Sequence, residues 1–233
     1  GISSGRARRD RPLRFGQKQR NEVSAMSTLL STAYLGNIQY YTKLISGEAE
    51  IDLWENYRKQ SYRNRCDVLT PNGVCSLIVP VLHPSGQKIR TKEVRIDNSK
   101  KWRHQHWQTI VSAYGKAPFF DHYAGAFESM YATEYELLAE WNRDLLQLTL
   151  RLLHLDIPVV YTDAYREAVP EASDFRDALS PKPRWRRPDP AFRPAPYYQV
   201  FSDRMPFAEN LSIIDLLFCE GPETEGLLRN SMR

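Results

Sequence analysis

The sequence predicts an α/β fold: a single domain with a mostly parallel sheet flanked by helices, and an early antiparallel β-hairpin. Three observations predict it. An apolar run, a short helical stripe and a second strand-like run follow one another within residues 28–54, the pattern of a βαβ unit with parallel strands. Two strand-like runs then flank Pro71-Asn72-Gly73, a hairpin-turn signal. Helical periodicity dominates the middle of the chain, so strands and helices alternate.

Thr28 to Tyr34 reads as the first strand, ended by Gly36. Ile38, Tyr41, Leu44 and Ile45 form a helical stripe closed by Gly47. Ala49 to Trp54 reads as the second strand. The hairpin runs from Tyr62 to Leu69 and back from Val74 to Leu82, and Pro80 marks an edge or bulge in its second arm. Val94 to Ile96 is a further short strand. Asn98 or Ser99 is placed to cap a helix carrying Trp102, Trp107, Ile110, Val111 and Tyr114, with Gly115 at its end. Pro118 to Tyr131 is read as another helix. Over 134–155, Leu138, Trp141, Leu145, Leu148, Leu152 and Leu155 recur every three or four residues, a helix with one apolar face, and Thr133 with Glu136 has the capping-box spacing. Ile157 to Tyr161 reads as a strand buried in the sheet. Residues 181–206 hold seven of the 15 prolines and read as one long loop. Ser212, with Asp215 three residues on as its capping partner, opens a last short helix ended by Gly221-Pro222.

Composition sets the class. The chain has 233 residues, 42% hydrophobic and 26% charged, as in ordinary globular proteins. No apolar run reaches the roughly 20 residues a membrane-spanning helix needs. Three cysteines, Cys66, Cys75 and Cys219, are too few for a disulfide framework and fit a reducing, cytoplasmic setting. Residues 1–25 hold seven basic and two acidic residues, leaving 25 basic and 26 acidic residues for the rest. The positive charge belongs to the tail, which argues against a nucleic-acid partner for the whole chain. That tail is expected to be a disordered basic extension ahead of a domain at 26–233, with Met26 read as a natural start.

Candidate chemistry centres on Tyr62-Arg63-Asn64-Arg65. On a strand, Arg63 and Arg65 share a face, and two guanidinium forks suit a phosphate or carboxylate; two surface arginines on a solvated strand face are the plain alternative. His104 and His106 are two apart, which on a helix does not place metal ligands on one face, so no metal is assigned. His106 is a candidate general base or a hydrogen-bonded buried histidine. Asp163 lies just past a predicted strand, where α/β proteins build their sites. Cys66 has basic neighbours, yet a strand cysteine is ordinarily a small apolar residue. Glycine-rich phosphate loops, Gly-x-Ser-x-Gly and His-Glu-x-x-His are all absent from the sequence.

Several segments resemble the WbqC-like protein family. They are Ser61 to Gly73, with its aromatic–x–Asn-Arg strand and turn; Leu77-Ile78-Val79-Pro80-Val81; the series Trp102, His106, Tyr114, Pro118; and Leu211 to Phe218 with Glu220-Gly221. The chain departs from the family in having Ser31-Thr32-Ala33-Tyr34 where His-Gln-Pro often stands, and Cys219 in place of Asn. The resemblance implies a bacterial cytoplasmic protein of surface-polysaccharide (O-antigen type) biosynthesis. It leaves two function classes. One is a transferase acting on a nucleotide-linked or phosphorylated sugar or its acyl donor. In it Arg63, Asn64, Arg65, Tyr34, Tyr62 and Trp102 bind the anionic small molecule, and His106 and Asp163 are catalytic. The other is a non-catalytic assembly protein that docks a partner through 181–196. Cofactor and oligomeric state are left open.

Overall fold

The computed structural model describes residues 27–83 and 85–233; the basic tail lies outside them. In chain order the elements are β1 (Thr28–Ser31), α1 (Ile38–Ile45), β2 (Ala49–Asp52), β3 (Arg65–Thr70), β4 (Gly73–Ile78), β5 (Val81–Leu82), β6 (Arg95–Ile96), α2 (Trp102–Tyr114), α3 (Phe120–Ala132), α4 (Leu138–Leu152), β7 (Val160–Tyr161), α5 (Ile213–Glu220) and α6 (Thr224–Asn230).

The predicted βαβ unit is present. Apolar Leu29 and Leu30 bury β1, Asn37 caps α1 by accepting from the Tyr40 amide at 2.9 Å, and β2 returns parallel to β1 with Leu30 opposite Ile51. β7 adds a third parallel strand beside β2. It is an edge, with Val160 43% exposed, so the sheet-buried strand expected at 157–161 is corrected: only two residues pair, and one face is open. On the other side of β1 a parallel bridge joins Leu29 to Asp174, and the Phe175 amide donates to the Leu29 carbonyl at 2.9 Å. The parallel order across the sheet is therefore 174–175, β1, β2, β7.

The hairpin forms as β3 against β4 around a tight turn, where Gly73 takes φ +108°, open to glycine without strain. β4 ends at Ile78. Pro80 separates it from β5, which pairs instead with β6. Arg63 and Asn64 precede β3 rather than lying on it.

The helical stripe of α4 packs as read: Leu138, Trp141, Leu145 and Leu148 are all buried. The helix is shorter than 134–155, because Thr133 closes α3 and its hydroxyl donates to the Ser129 carbonyl, so no capping box forms with Glu136. Asn98 and Ser99 do not cap α2 either. The Asn98 amide donates to the Tyr135 carbonyl, and Ser99 turns to Asp97. Trp141 centres an aromatic cluster in which Trp102, Tyr131 and Tyr135 each lie 5.3 Å from it.

Truncation in this stripe leaves a cavity that rigid neighbours fill poorly. Leu145→Ala is expected to lose about 2–5 kcal/mol, while Val74→Ser on the exposed face of β4 stays within about 0.5 kcal/mol; urea unfolding of the two variants checks the contrast.

Candidate functional site

The carboxyl ends of the four parallel segments hold a belt of buried charge. Asp52, the last residue of β2, is fully buried. It accepts from the Arg176 guanidinium at 2.8 Å, the Thr162 hydroxyl at 3.1 Å and the Trp54 amide at 2.8 Å. Asp174 grips the same arginine through a second pair of bonds. Asp163, the acid expected at this edge, is exposed one residue beyond Thr162. The buried acid comes from β2: beyond β7 it is Thr162 that turns inward to Asp52, and Asp163 after it turns out to solvent.

Arg63 belongs to the same belt. Its guanidinium is 2% exposed and forms two parallel bonds of 2.8 Å to Glu55, with further bonds to the Arg176 carbonyl and to Asp177. Burial works against its charge, but Glu55 and Asp177 together outweigh burial and hold the guanidinium more firmly protonated than usual. The expected side-by-side display of Arg63 and Arg65 is thus corrected. Arg63 spends its fork inside the protein, while Arg65 lies on β3 and donates to Asp67 at 3.3 Å. Asn64 is buried and donates to the Val79 carbonyl at 2.9 Å, extending the hairpin past β4. Tyr62 is half-buried and donates to Asp67 at 3.3 Å.

Tyr34, Trp102 and His106 do come together. Burial pushes the His106 imidazole down to about 4, so it is neutral at pH 7. The Ile78 carbonyl can only accept, so Nε2 carries the proton and donates to it at 3.1 Å; Nδ1 then accepts from the Tyr34 hydroxyl at 2.9 Å. Tyr34 in turn takes a hydrogen bond from Tyr131, both phenols being held protonated by burial. The Trp102 ring packs edge-on against the imidazole at 5.2 Å. Both nitrogens of His106 are therefore committed. Among the described residues no hydrogen bond or ion pair joins this chain of donors to Arg63, Arg65 or Asp163.

A third buried acid, apart from Asp52 and Glu55, was not anticipated as such. Asp215 does not turn back to cap α5. Ser212 caps alone, and the Asp215 carboxylate accepts from Tyr114 at 2.7 Å, Tyr197 at 2.6 Å and Gln199 at 3.0 Å. Burial pushes its carboxyl above the ordinary range, against the pull of those three donors. Tyr197 and Gln199 belong to the proline-rich stretch, which is thereby fastened to α2 and α5. Lys43 of α1 fastens the same stretch through a 2.5 Å pair with Asp189, both side chains under 10% exposed.

This stretch walls a cleft. Strand order reverses at β1: the chain leaves it toward β2 on one side, and the 174–175 segment arrives from β7 on the other. Open α/β sheets bind ligands in the crevice outside such a reversal. Here a cleft of about 300 Å³ lies between residues that follow β1 (Asn37, Gln39) and residues that follow 174–175 (Ala178 to Ser180), with Tyr62 and Asp67 in its lining and Arg186 and Arg187 in its wall. Arg186 donates to the Ser180 and Pro181 carbonyls, and Arg187 to the Asp174 carbonyl. Neither has a carboxylate within 4 Å among the described residues. The sequence signal for them was present: Arg184, Arg186 and Arg187 crowd a long proline-fixed loop whose only nearby acid, Asp189, is taken by Lys43.

Two consequences are measurable. Arg63→Ala leaves Glu55 buried without its partner and is expected to cost about 3–5 kcal/mol in denaturant unfolding. The folded value of His106, about 4, lies below its ordinary 6.5, so the unfolded chain takes up the proton first as pH falls. The stabilisation is present above pH 6.5 and is lost on descent through about pH 4, by up to about 3 kcal/mol. The pH profile of unfolding for His106→Gln should be flatter over that window.

Among the described residues no helix is long and apolar enough to cross a membrane. No curated protein and no solved structure matches the chain. The model of the WbqC-like protein family matches residues 40–178, from α1 through the hairpin, the three long helices and the buried charge belt to the near edge of the cleft. It stops short of the C-terminal segment at 211–221. With more than half of its length matched, the chain belongs to the WbqC-like protein family.

Proposed function

We propose that the protein is a transferase of surface-polysaccharide assembly, acting on a nucleotide-linked or phosphorylated sugar or its acyl donor, and that it holds the anionic part of that molecule on Arg186 and Arg187. The observation that carries the reading is the pairing pattern of the arginines around the sheet. Arg63 and Arg176 are spent on buried acids, whereas Arg186 and Arg187 face a cleft at the strand-order reversal with only backbone carbonyls as partners. Guanidinium groups with donors to spare, in a concave site, suit phosphate or carboxylate.

In this reading the residues first singled out keep parts at different depths. Tyr62 faces the ligand, and Arg65 steadies Asp67 at the cleft wall. Arg63 and Asn64 hold the floor beneath through Glu55 and Val79. Tyr34, Trp102 and His106 support the hairpin from behind, since His106 is bonded to the carbonyl next to the one Asn64 holds. The polysaccharide setting rests on the family's naming.

A thermal-shift titration tests the reading. Glucose 1-phosphate, acetyl-coenzyme A and UDP-glucose are the probes. A ligand at 100 times its dissociation constant adds about 2.7 kcal/mol to stability. Arg186→Ala is expected to abolish the shift while the unliganded melting temperature stays within a degree or two. Equal shifts in the variant and the parent protein move the anion site elsewhere, and no shift with any probe favours the assembly role over the enzyme.

A further inference from the structure

We infer that the ligand of this cleft carries its negative charge in the middle rather than at an end: a diphosphate bridging two uncharged parts, as in a nucleoside diphosphate sugar. The inference rests on the cleft being the ligand site and adds what shape of molecule it takes.

The cleft has two lobes. Beyond the lobe of about 300 Å³ lies a second, of about 470 Å³, on the far side of Arg186 and Arg187. The two lobes share these arginines and Ala178. No other arginine or lysine lines either one. Among the lining residues positive charge thus lies on the common wall; near the second lobe Arg58 and Arg184 pack on Trp185, and Arg58 is paired with Asp177 at 2.8 Å. Acidic side chains line both lobes, Asp67 and Glu209 in the first and Glu171, Asp174 and Asp177 in the second, where Asp174 is held by Arg176 and Asp177 by Arg58 and Arg63. A carboxylate repels a phosphate placed beside it but accepts hydrogen bonds from hydroxyls. An anion therefore settles at the junction, and both outer ends of the ligand are neutral.

The linings of the lobes differ in kind. The first presents short polar groups, among them Asn37, Gln39 and Asn210; Asn37 caps α1 through its oxygen, and Gln39 and Asn210 bond each other and Asp189, which leaves the Asn37 amide group and the second amide hydrogens of Gln39 and Asn210 as donors for a polyhydroxylated ring. The second presents Trp185, which is 42% exposed, with the Arg58 guanidinium 4.7 Å and the Arg184 guanidinium 5.4 Å from its ring centre. Indole and guanidinium planes are surfaces on which a flat heterocycle stacks. A base in the second lobe, a diphosphate on the arginine wall and a sugar in the first lobe satisfy all three regions at once. A sugar phosphate fills one lobe and leaves the other empty.

Calorimetric titration with inorganic pyrophosphate, glucose 1-phosphate, the diphosphates of uridine, guanosine, adenosine and thymidine, and the matching glucose conjugates decides between these. At least one nucleoside diphosphate should bind tenfold or more tightly than pyrophosphate, and its glucose conjugate more tightly again. Trp185→Ala should weaken that nucleotide about tenfold and change glucose 1-phosphate less than twofold. Asn210→Ala should weaken glucose 1-phosphate and the conjugate while sparing the nucleotide. If every nucleotide binds no better than pyrophosphate, or if Trp185→Ala leaves the nucleotide unaffected, the two-lobed ligand is wrong while the anion site stands. If pyrophosphate and glucose 1-phosphate also fail to bind, the anion site itself falls.

Discussion

A charge taken out of water must find a partner, and that constraint organises the carboxyl edge of the sheet. Asp52, Glu55, Arg63 and Arg176 are all nine-tenths or more buried. They satisfy one another across parts of the chain far apart in sequence: β2, the approach to the hairpin, and the segment around 174–177. Removing either arginine leaves a buried acid without its cation, and removing either acid leaves its arginine with one carboxylate instead of two. The belt therefore fixes the 174–177 segment beside β1, although that segment makes only an isolated strand bridge there. Backbone pairing alone would hold so short a strand weakly. The reversal of strand order, and with it the cleft, follows from the ion pairs.

The outer wall of the cleft is held by a separate set of buried polar contacts. Prolines remove donors and fix the backbone of 181–206, so this stretch adds no strand to the sheet and forms no α-helix, only one 3-10 turn at Pro183–Trp185. It is held by an isolated antiparallel bridge between Phe192 and Met232 and by side chains: Asp189 on Lys43 at one end, Tyr197 and Gln199 on Asp215 at the other. Arg186 and Arg187 sit between the first anchor and the sheet edge. Their positions are set by neighbours that are themselves committed, which is the condition for an anion site that is formed before its ligand arrives.

Periodicity made much of this architecture legible. The βαβ unit, the Asn-Gly hairpin and the apolar face of α4 all follow from side-chain spacing that only one backbone geometry can bury. Caps were less legible: Ser212 caps α5, whereas Thr133 and Asn98 bond elsewhere, because a hydroxyl or amide chooses among partners brought by the tertiary fold. Buried charge was the least legible. Nothing local distinguishes Arg63, inside the protein, from Arg65 two residues on. The partner that decides, Glu55, lies eight residues upstream across a loop, and Asp177 over a hundred residues downstream. For the same reason Asp52 replaced Asp163 as the acid at the strand ends, and Asp215 proved to be a hub of three donors.

The arginines show how function separates from stability on such a scaffold. Outside the tail the chain is almost electrically neutral, and the two arginines buried at the sheet edge, Arg63 and Arg176, both meet anions of the protein itself. An arginine whose fork is filled by a buried carboxylate has no donors left for a ligand, and its loss unfolds the edge of the sheet. An arginine bonded only to backbone carbonyls keeps both its charge and part of its fork, because a carbonyl neutralises nothing. Arg186 and Arg187 meet that second description, with Arg187 further settled over the Phe175 ring at 4.8 Å. Arg63 meets the first. Both kinds bond the turn at 176–178 or its flanks: Arg63, buried, bonds the Arg176 carbonyl and Asp177, while Arg186 and Arg187, partly exposed, bond the carbonyls of Ser180, Pro181 and Asp174. The same turn thus carries the ion pairs that build the edge of the sheet and borders the free charge available to a ligand.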